Sequence, residues 1–444
     1  MATSRVAPQL HANLMSRLEE ARARTDALFV LVPPESLYDR PVPQRNRLIF
    51  YLGHVEAFEA ILLRPALGLE SDDPDMDLLF AFGMGGAPAD SPSDWPTIAQ
   101  LQTYNGKIRA EMDEALNGSR ATDSSDPQWI DGTLLNAAIE HRLMHAETFT
   151  YLLHDMAVDR KAPHAAPARD LRLAPRPRQV RIPAGTATLG QSKTGAFGWD
   201  NEFQPHQVEV PEFSIDVFPV TNADYLKFVA AGGYIDPSHW TPESWEWKSR
   251  AKLEHPHFWL RKSGSSHGAP QDRWEYRAMF GRIPLPPSWP VYVSHAEASA
   301  YCRWAGKKLP SEAQWHRAAY GATDGSERSY PWGEAAPDRT RGNFDFKSWD
   351  AAPVDAHPAG ASTFGVFDLA GNGWEWTSTP FGAFPGFGAS SYYPGYSASF
   401  FDGKNFVMKG GSPQTDACML RRSFRNWFQP HYFNVYATFR CVEE

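Results

Sequence analysis

The chain has 444 residues, 42% hydrophobic and 21% charged, which excludes disordered, collagenous and fibrous classes and fits two or three domains. Its 43 Lys and Arg against 52 Asp and Glu leave a formal charge of −9, a poor footing for nucleic-acid binding. Three cysteines are too few for a disulfide framework. With no apolar leader and no run of ~18 apolar residues, they lead us to expect a cytoplasmic protein without a membrane partner.

Helical periodicity governs the N-terminal part. Leu10, Leu14, Leu18, Ala21 and Leu28 recur near helical spacing. Further helices are expected from about Asn46 to Leu63, from Thr97 to Leu116 behind SPSDWPT, and from about Ile130 to Leu153. Four such segments argue for a four-helix bundle over residues 1–157. The long connection SDDPDMDLLFAFGMGGAPADSPSDWP reads as a crossover loop. Residues 158–179, rich in Pro, Ala and Arg, read as a semi-rigid linker.

Residues 180–444 have another texture. VRIPAGTATLG and HQVEVPEFSIDVFPV alternate like strands. Helices are expected at Asn222–Ala231, at Ala296–Ala305 after Ser294, and after Ser311. The remainder, holding most of the 16 Trp, 16 Tyr and 27 Phe, reads as glycine, proline and aromatic loop around a core of large rings. The second domain is therefore α+β with a high irregular fraction.

The strongest chemical signal lies in the bundle. His141 and His145 stand four residues apart, on the stripe of Leu134, Ala138 and Leu152. His54 lies with Phe50, Phe58 and Ile61, so it too is expected to point inward. A lone inward histidine is usually satisfied core. Three on facing inward stripes are costly to bury without a shared partner, which favours a metal. Three neutral nitrogens leave positions open, as in a catalytic site, and suit zinc with a water or iron(II) with substrate and dioxygen.

RNRLIFYLGHVEAFE followed by HRLMH resembles the three-histidine bundle of the DinB-like superfamily. AEASAYCRWAGKKLPSEAQWHRAAYG, FGVFDLAGNGWEWTS, VMKGGS and RRSFRNWFQPHYFNVYATFRC resemble the formylglycine-generating-enzyme-like (sulfatase-modifying-factor) fold, a C-type-lectin-like variant. Formylglycine generation does not follow, because that chemistry uses a close cysteine pair. Cys418 and Cys441 are distant in sequence, Cys302 sits in a helix motif, and all three read as small buried hydrophobes.

The fusion of the two modules resembles the ergothioneine/selenoneine synthase family, non-heme iron oxidoreductases that use dioxygen to join sulfur or selenium to the imidazole C2 of hercynine. The resemblance implies Fe(2+) on His54, His141 and His145, with O2 as co-substrate. It implies Asn426 and Trp427 as hercynine contacts, the latter through cation–π attraction to trimethylammonium. It implies Tyr393, then Tyr392, as proton donor. Core packing would explain Trp427 equally well, and covering the core would explain either tyrosine.

Three departures from the family pattern stand out, two bearing on the donor and the third on the hold on hercynine. Phe428 stands where γ-glutamylcysteine-using relatives carry an acid after Arg-Asn-Trp. The long connection is acidic and lacks the family's arginines. Met144 replaces a glutamine before the last histidine. Carboxylate recognition wants arginine forks, so a neutral selenosugar held by Phe428 and Gln429 is expected. The alternatives are an ergothioneine sulfoxide synthase using cysteine or γ-glutamylcysteine, a zinc-dependent DinB-type thiol transferase, and a non-catalytic binding module.

Overall fold

In a computed structural model, residues 8–82, 90–165, 168–262 and 273–444 are described. The chain divides into two compact units, Met1–His164 and Ala165–Glu444. Residues 83–89 of the long connection and 166–167 of the expected linker lie outside the described residues.

The first unit is helical. Its elements are α1 (Pro8–Phe29), α2 (Leu48–Leu67), α3 (Pro74–Phe82), α4 (Ile98–Asn117), α5 (Ser119–Asp123), α6 (Pro127–Ile130) and α7 (Thr133–Asp155). The four long helices are those expected from periodicity. α4 begins at a capping box in which Gln100 N–H donates to Thr97 Oγ1 at 3.3 Å and Thr97 N–H donates to Gln100 Oε1 at 2.8 Å. α2 ends where Gly68 takes φ 63°, the left-handed cap that glycine adopts without strain. α2 packs on α3, α4 and α7, and α1 packs on α7.

Two expectations need correction here. Ile61 is 41% exposed, so the inward stripe of α2 runs through Phe50 and His54 without it. The long connection is also more than a loop, because it contains α3. The signal was present: Asp73 caps the helix through the Met76 N–H at 3.2 Å, and Pro74 opens the first turn. The glycine run that follows hid it.

The bundle also buries charge. Arg142 on α7 donates to Glu56 (3.0 and 2.8 Å) and Glu59 (2.8 Å) on α2, and to Thr25 on α1. Arg22 also grips Glu59, and Arg109 reaches Glu56 at 2.6 Å. Burial pushes the Glu56 carboxyl up, but Arg142 and Arg109 outweigh it and hold it at about 2.

The second unit is α+β. Its helices are α8 (Asn222–Ala230), α9 (Pro242–Arg250), α10 (His295–Trp304) and α11 (Glu312–Tyr320). Its strands are β1 (Gln179–Ile182), β2 (Gly185–Leu189), β3 (His206–Val210), β4 (Phe213–Asp216), β5 (Trp259–Arg261), β6 (Trp274–Ala278), β7 (Gly281–Pro284), β8 (Gly373–Pro380), β9 (Phe406–Gly411), β10 (Asn426–Phe428), β11 (Ala437–Thr438) and β12 (Val442–Glu443). They form sheets in the orders β1-β4-β12, β2-β3, β5-β6-β7 and β10-β9-β8-β11. A core of Ile182, Ile215, Trp315, Val366 and Leu369 binds α11 to the first strands. Under it, Arg440 pairs with Glu375 at 2.6 Å, and Trp315 Nε1 donates to the same carboxylate at 3.0 Å. Ser294 and Ser311 cap α10 and α11 as expected. The stretches read as loop nevertheless contain α9 and the strands β5 to β10. Their Trp and Gly content, with both faces of β8 buried, obscures the period-2 alternation that marks strands.

Candidate metal centre

His54 sits on α2, and His141 and His145 on α7. One ligating atom of each lies within 4.8 Å of the others. The ring centroids are 4.4 Å apart for His54–His145 and His141–His145, and 5.0 Å for His54–His141. His54 Nε2 and His145 Nε2 approach to 3.1 Å. Aromatic rings hold two of the imidazoles flat: Phe58 stacks on His141 at 3.4 Å and 9°, and Phe50 on His54 at 4.7 Å and 24°. Tyr51 lies 6.1 Å from His145.

The environment keeps the three rings neutral. Burial pushes His54 down to about 4, against the Phe80 carbonyl, which alone would raise it. Burial, then the charges of His145, His54 and Arg142, holds His141 well below its ordinary value. His145 is lowered by burial, His54 and Arg45. A neutral imidazole is the form that ligates a metal, so a proton does not compete for these nitrogens at neutral pH.

His54 shows which nitrogen is available. Its Nδ1 lies 2.6 Å from the Phe80 carbonyl oxygen. A carbonyl only accepts, so Nδ1 carries the proton and Nε2 carries the lone pair. That lone pair points at His145 Nε2 across 3.1 Å. His145 Nδ1 is buried with no hydrogen-bond partner among the described residues. Three neutral imidazoles gathered in a buried cluster fit a divalent cation of the zinc or iron(II) class.

The remaining residues singled out from sequence occupy the following positions. Met144 precedes His145 on α7, and its carbonyl accepts from Thr148 Oγ1 at 3.0 Å. Asn426, Trp427 and Phe428 form β10, paired with Met408, Val407 and Phe406 of β9. The Asn426 side-chain oxygen accepts from the Trp427 N–H at 2.8 Å. The half-buried Trp427 ring stacks on Phe381 at 4.1 Å and 7°, with Tyr396 edge-on at 5.4 Å. Phe428 stacks on Tyr432 at 5.0 Å, and the Gln429 carbonyl accepts from the Tyr432 N–H. Tyr393 lies 5.7 Å from Tyr396, and Tyr392 lies 6.5 Å from Trp199. Burial raises the Tyr393 hydroxyl above its ordinary value.

Sequence reasoning missed three features. The first is the Phe80 carbonyl, a backbone group that no side-chain motif announces. The second is Arg142, adjacent to His141 in the chain and 1% exposed in the structure. The third is the cysteine arrangement. Cys302 and Cys441 lie 139 residues apart in sequence, yet their sulfurs are 3.4 Å apart. Burial and the Cys302 contact raise the Cys441 thiol well above its ordinary value, so it keeps its proton. Cys418 is partly exposed, unlike the buried hydrophobe expected.

Comparison with known proteins agrees with both halves. Residues 164–444 match the sulfatase-modifying factor enzyme 1-like domain, and residues 17–149 match the DinB superfamily. A hercynine oxygenase of Mycolicibacterium smegmatis is 32% identical over 450 residues, 97% of this chain and 98% of that one. The chain belongs to the DinB–sulfatase-modifying-factor fusion family of the ergothioneine synthases. A hercynine oxygenase of Mycobacterium tuberculosis is 39% identical over 246 residues, 55% of either chain. Ergothioneine biosynthesis protein 1 of Neurospora crassa is 25% identical over 93% of this chain, which spans 56% of the fungal protein. The histidine cluster belongs to the helical module, and β10, with Asn426 to Phe428, belongs to the other.

Proposed function

We propose that this protein is a mononuclear iron(II), dioxygen-dependent enzyme that forms a carbon–chalcogen bond at the imidazole C2 of hercynine. The observation that carries the reading is the cluster of three neutral imidazoles within 4.8 Å, in a chain similar over nearly its whole length to a hercynine oxygenase. Iron(II) held by three imidazoles keeps positions open and supplies the oxidising chemistry when bound.

The chain's own residues take the other roles. His54, His141 and His145 hold the metal, and burial keeps them unprotonated. The face of Trp427 attracts the trimethylammonium of hercynine. Asn426, its amide oxygen tied to the Trp427 N–H, offers its NH2 as a donor. Tyr393 keeps its phenolic proton at neutral pH and serves as the acid, with Tyr392 as the second candidate. Met144, next to His145 in α7, presents a thioether that donates no hydrogen bond to hercynine.

For the donor we infer a neutral selenosugar. Phe428, already stacked on Tyr432, and Gln429 offer an aromatic face and an amide, which suit a sugar better than two carboxylates. A relative named for the biosynthesis of ergothioneine, a sulfur compound, favours a second reading, in which the donor is a thiol such as cysteine or γ-glutamylcysteine. Anaerobic reconstitution with iron(II), then hercynine, dioxygen and each donor in turn, tests the reading by product mass. A selenoneine mass only with the selenosugar supports it. A sulfoxide mass with a thiol moves the donor assignment to sulfur. Tight zinc binding without oxygen uptake refutes the iron assignment and favours a thiol transferase.

A further inference from the structure

His54 depends on a helix that carries no metal ligand. Its Nδ1 donates to the carbonyl of Phe80 on α3, and the Phe80 ring is fully buried. Nine residues are too few for a helix to hold its place unaided, so docking sets the position of α3. The docking converges on Asp77, only 7% exposed. Its carboxylate accepts from Tyr104 Oη on α4 at 2.6 Å and from Ser71 Oγ at 2.6 Å, and it pairs with Arg64 on α2. Arg64 is fixed in turn by Glu111 at 2.9 Å. The Phe80 ring stacks on Tyr104 at 5.5 Å. It lies so close over Gly53 that a Cβ there would overlap it.

Asp77 and Phe80 are three residues apart, on the same side of α3. What grips Asp77 therefore also places the Phe80 carbonyl. We infer that Asp77 is a positioning residue for the metal centre. Locked between Arg64 and Tyr104, it seats α3 so that the Phe80 carbonyl holds His54 with Nδ1 protonated and Nε2 open to a metal. Gly53 is the second part of the device, because only a residue without a side chain lets Phe80 approach α2. The inference rests on the metal-centre reading above and extends it to residues that touch neither metal nor substrate.

The test uses the full metal-free chain and cobalt(II) as the probe ion. Asp77→Asn keeps the shape and removes the charge that Arg64 and Tyr104 hold. Gly53→Ala improves intrinsic helix propensity while wedging Phe80 outward. Gly106→Ala on α4, where a Cβ meets nothing within 4 Å, controls for the helix effect. Both test variants should weaken cobalt binding by about 10- to 100-fold, as loss of a ligand's orienting partner does. The control should match the wild type. Two-bond 15N–1H correlation of the histidine rings should show His54 as the Nδ1–H tautomer in the wild type and as a mixture in both variants. A merely structural Asp77 would lower the melting temperature without moving that signature. Cobalt affinity within twofold of wild type, or an unchanged tautomer, in folded Asp77→Asn and Gly53→Ala proteins overturns the inference. If the wild type itself binds no divalent ion, the metal reading falls, while the tautomer result still decides whether Asp77 orients His54.

Discussion

Arg142→Met should cost the bundle about 3 kcal/mol, because it leaves two buried carboxylates short of a counter-charge. The guanidinium is 1% exposed and donates to Glu56 at 3.0 and 2.8 Å, Glu59 at 2.8 Å, the Val55 carbonyl at 3.1 Å and Thr25 at 3.2 Å. Removing one partner of a buried pair typically costs about 3–5 kcal/mol, most of it the penalty of the charge left behind. Here the lower end applies. Glu56 keeps Arg109 at 2.6 Å, and Glu59 keeps Arg22. Methionine fills most of the vacated volume, so little cavity cost is added. Urea unfolding of the full chain, followed by helical circular dichroism, measures the change. At about 2–4 °C per kcal/mol for a unit of this size, the melting shift should be roughly 6–12 °C. Neutralising the stranded acids in the same background, as Glu56→Gln with Glu59→Gln, should recover at least half of the loss. A loss below about 1 kcal/mol in Arg142→Met, or no recovery in the triple variant, would refute the stranded-charge reasoning.

Metal-free protein should lose stability as pH falls below about 6.5, because the unfolded chain binds protons at histidines that the native bundle keeps neutral. His54, lowered to about 4, accounts for about 3 kcal/mol lost between pH 6.5 and 4, and His141 and His145 act in the same direction. Glu56, held at about 2, adds its own loss only below about pH 4.5. Denaturant midpoints of the wild type and a His54→Gln variant should therefore diverge between pH 7 and 5, and parallel curves would contradict the assignment. Trp427→Leu should raise KM for hercynine by about 5- to 30-fold, the worth of a desolvated cation–π contact. Trp427→Phe should fall between, and an unchanged KM in steady-state kinetics would return Trp427 to a packing role.

The architecture was legible where one face of an element meets water. The long bundle helices show it: Leu14, Leu18 and Ala21 on α1, and Leu134, Ala138 and Leu152 on α7, are all buried. The same periodicity put three histidines on inward stripes, and the structure brings them within 4.8 Å. Legibility failed for contacts that periodicity does not encode. Phe80 acts through its carbonyl, which every residue possesses. Arg142 looks in sequence like one more surface charge, and only the glutamates of α2 show that it is core. Cys302 and Cys441 meet because β12 pairs with β4 and α10 packs nearby, a long-range closure hidden from local spacing. In the second unit, Trp374 and Trp376 point into core on a strand buried on both faces, which erases the alternation that would have announced it.

The acidic long connection takes on a different meaning once its partners are known. Read as sequence, its aspartates would repel an anionic donor. In the structure, Asp77 is spent on Arg64, Tyr104 and Ser71. Asp90 accepts from Arg40, from Arg47 at 2.9 Å and from Trp95. These acids fasten the connection to the bundle, so the case against a dicarboxylate donor rests on the lack of arginine in the connection's sequence, not on repulsion. Arg40 and Arg47, in the stretch between α1 and α2, are both held by Asp90. Asp90→Asn keeps the shape and leaves each with weaker competition from within. On this reasoning it should lower KM for a γ-glutamylcysteine donor while leaving KM for a neutral selenosugar unchanged. An equal change for both donors would show that Asp90 only holds the fold, and no change for either would mean that these arginines never meet the donor.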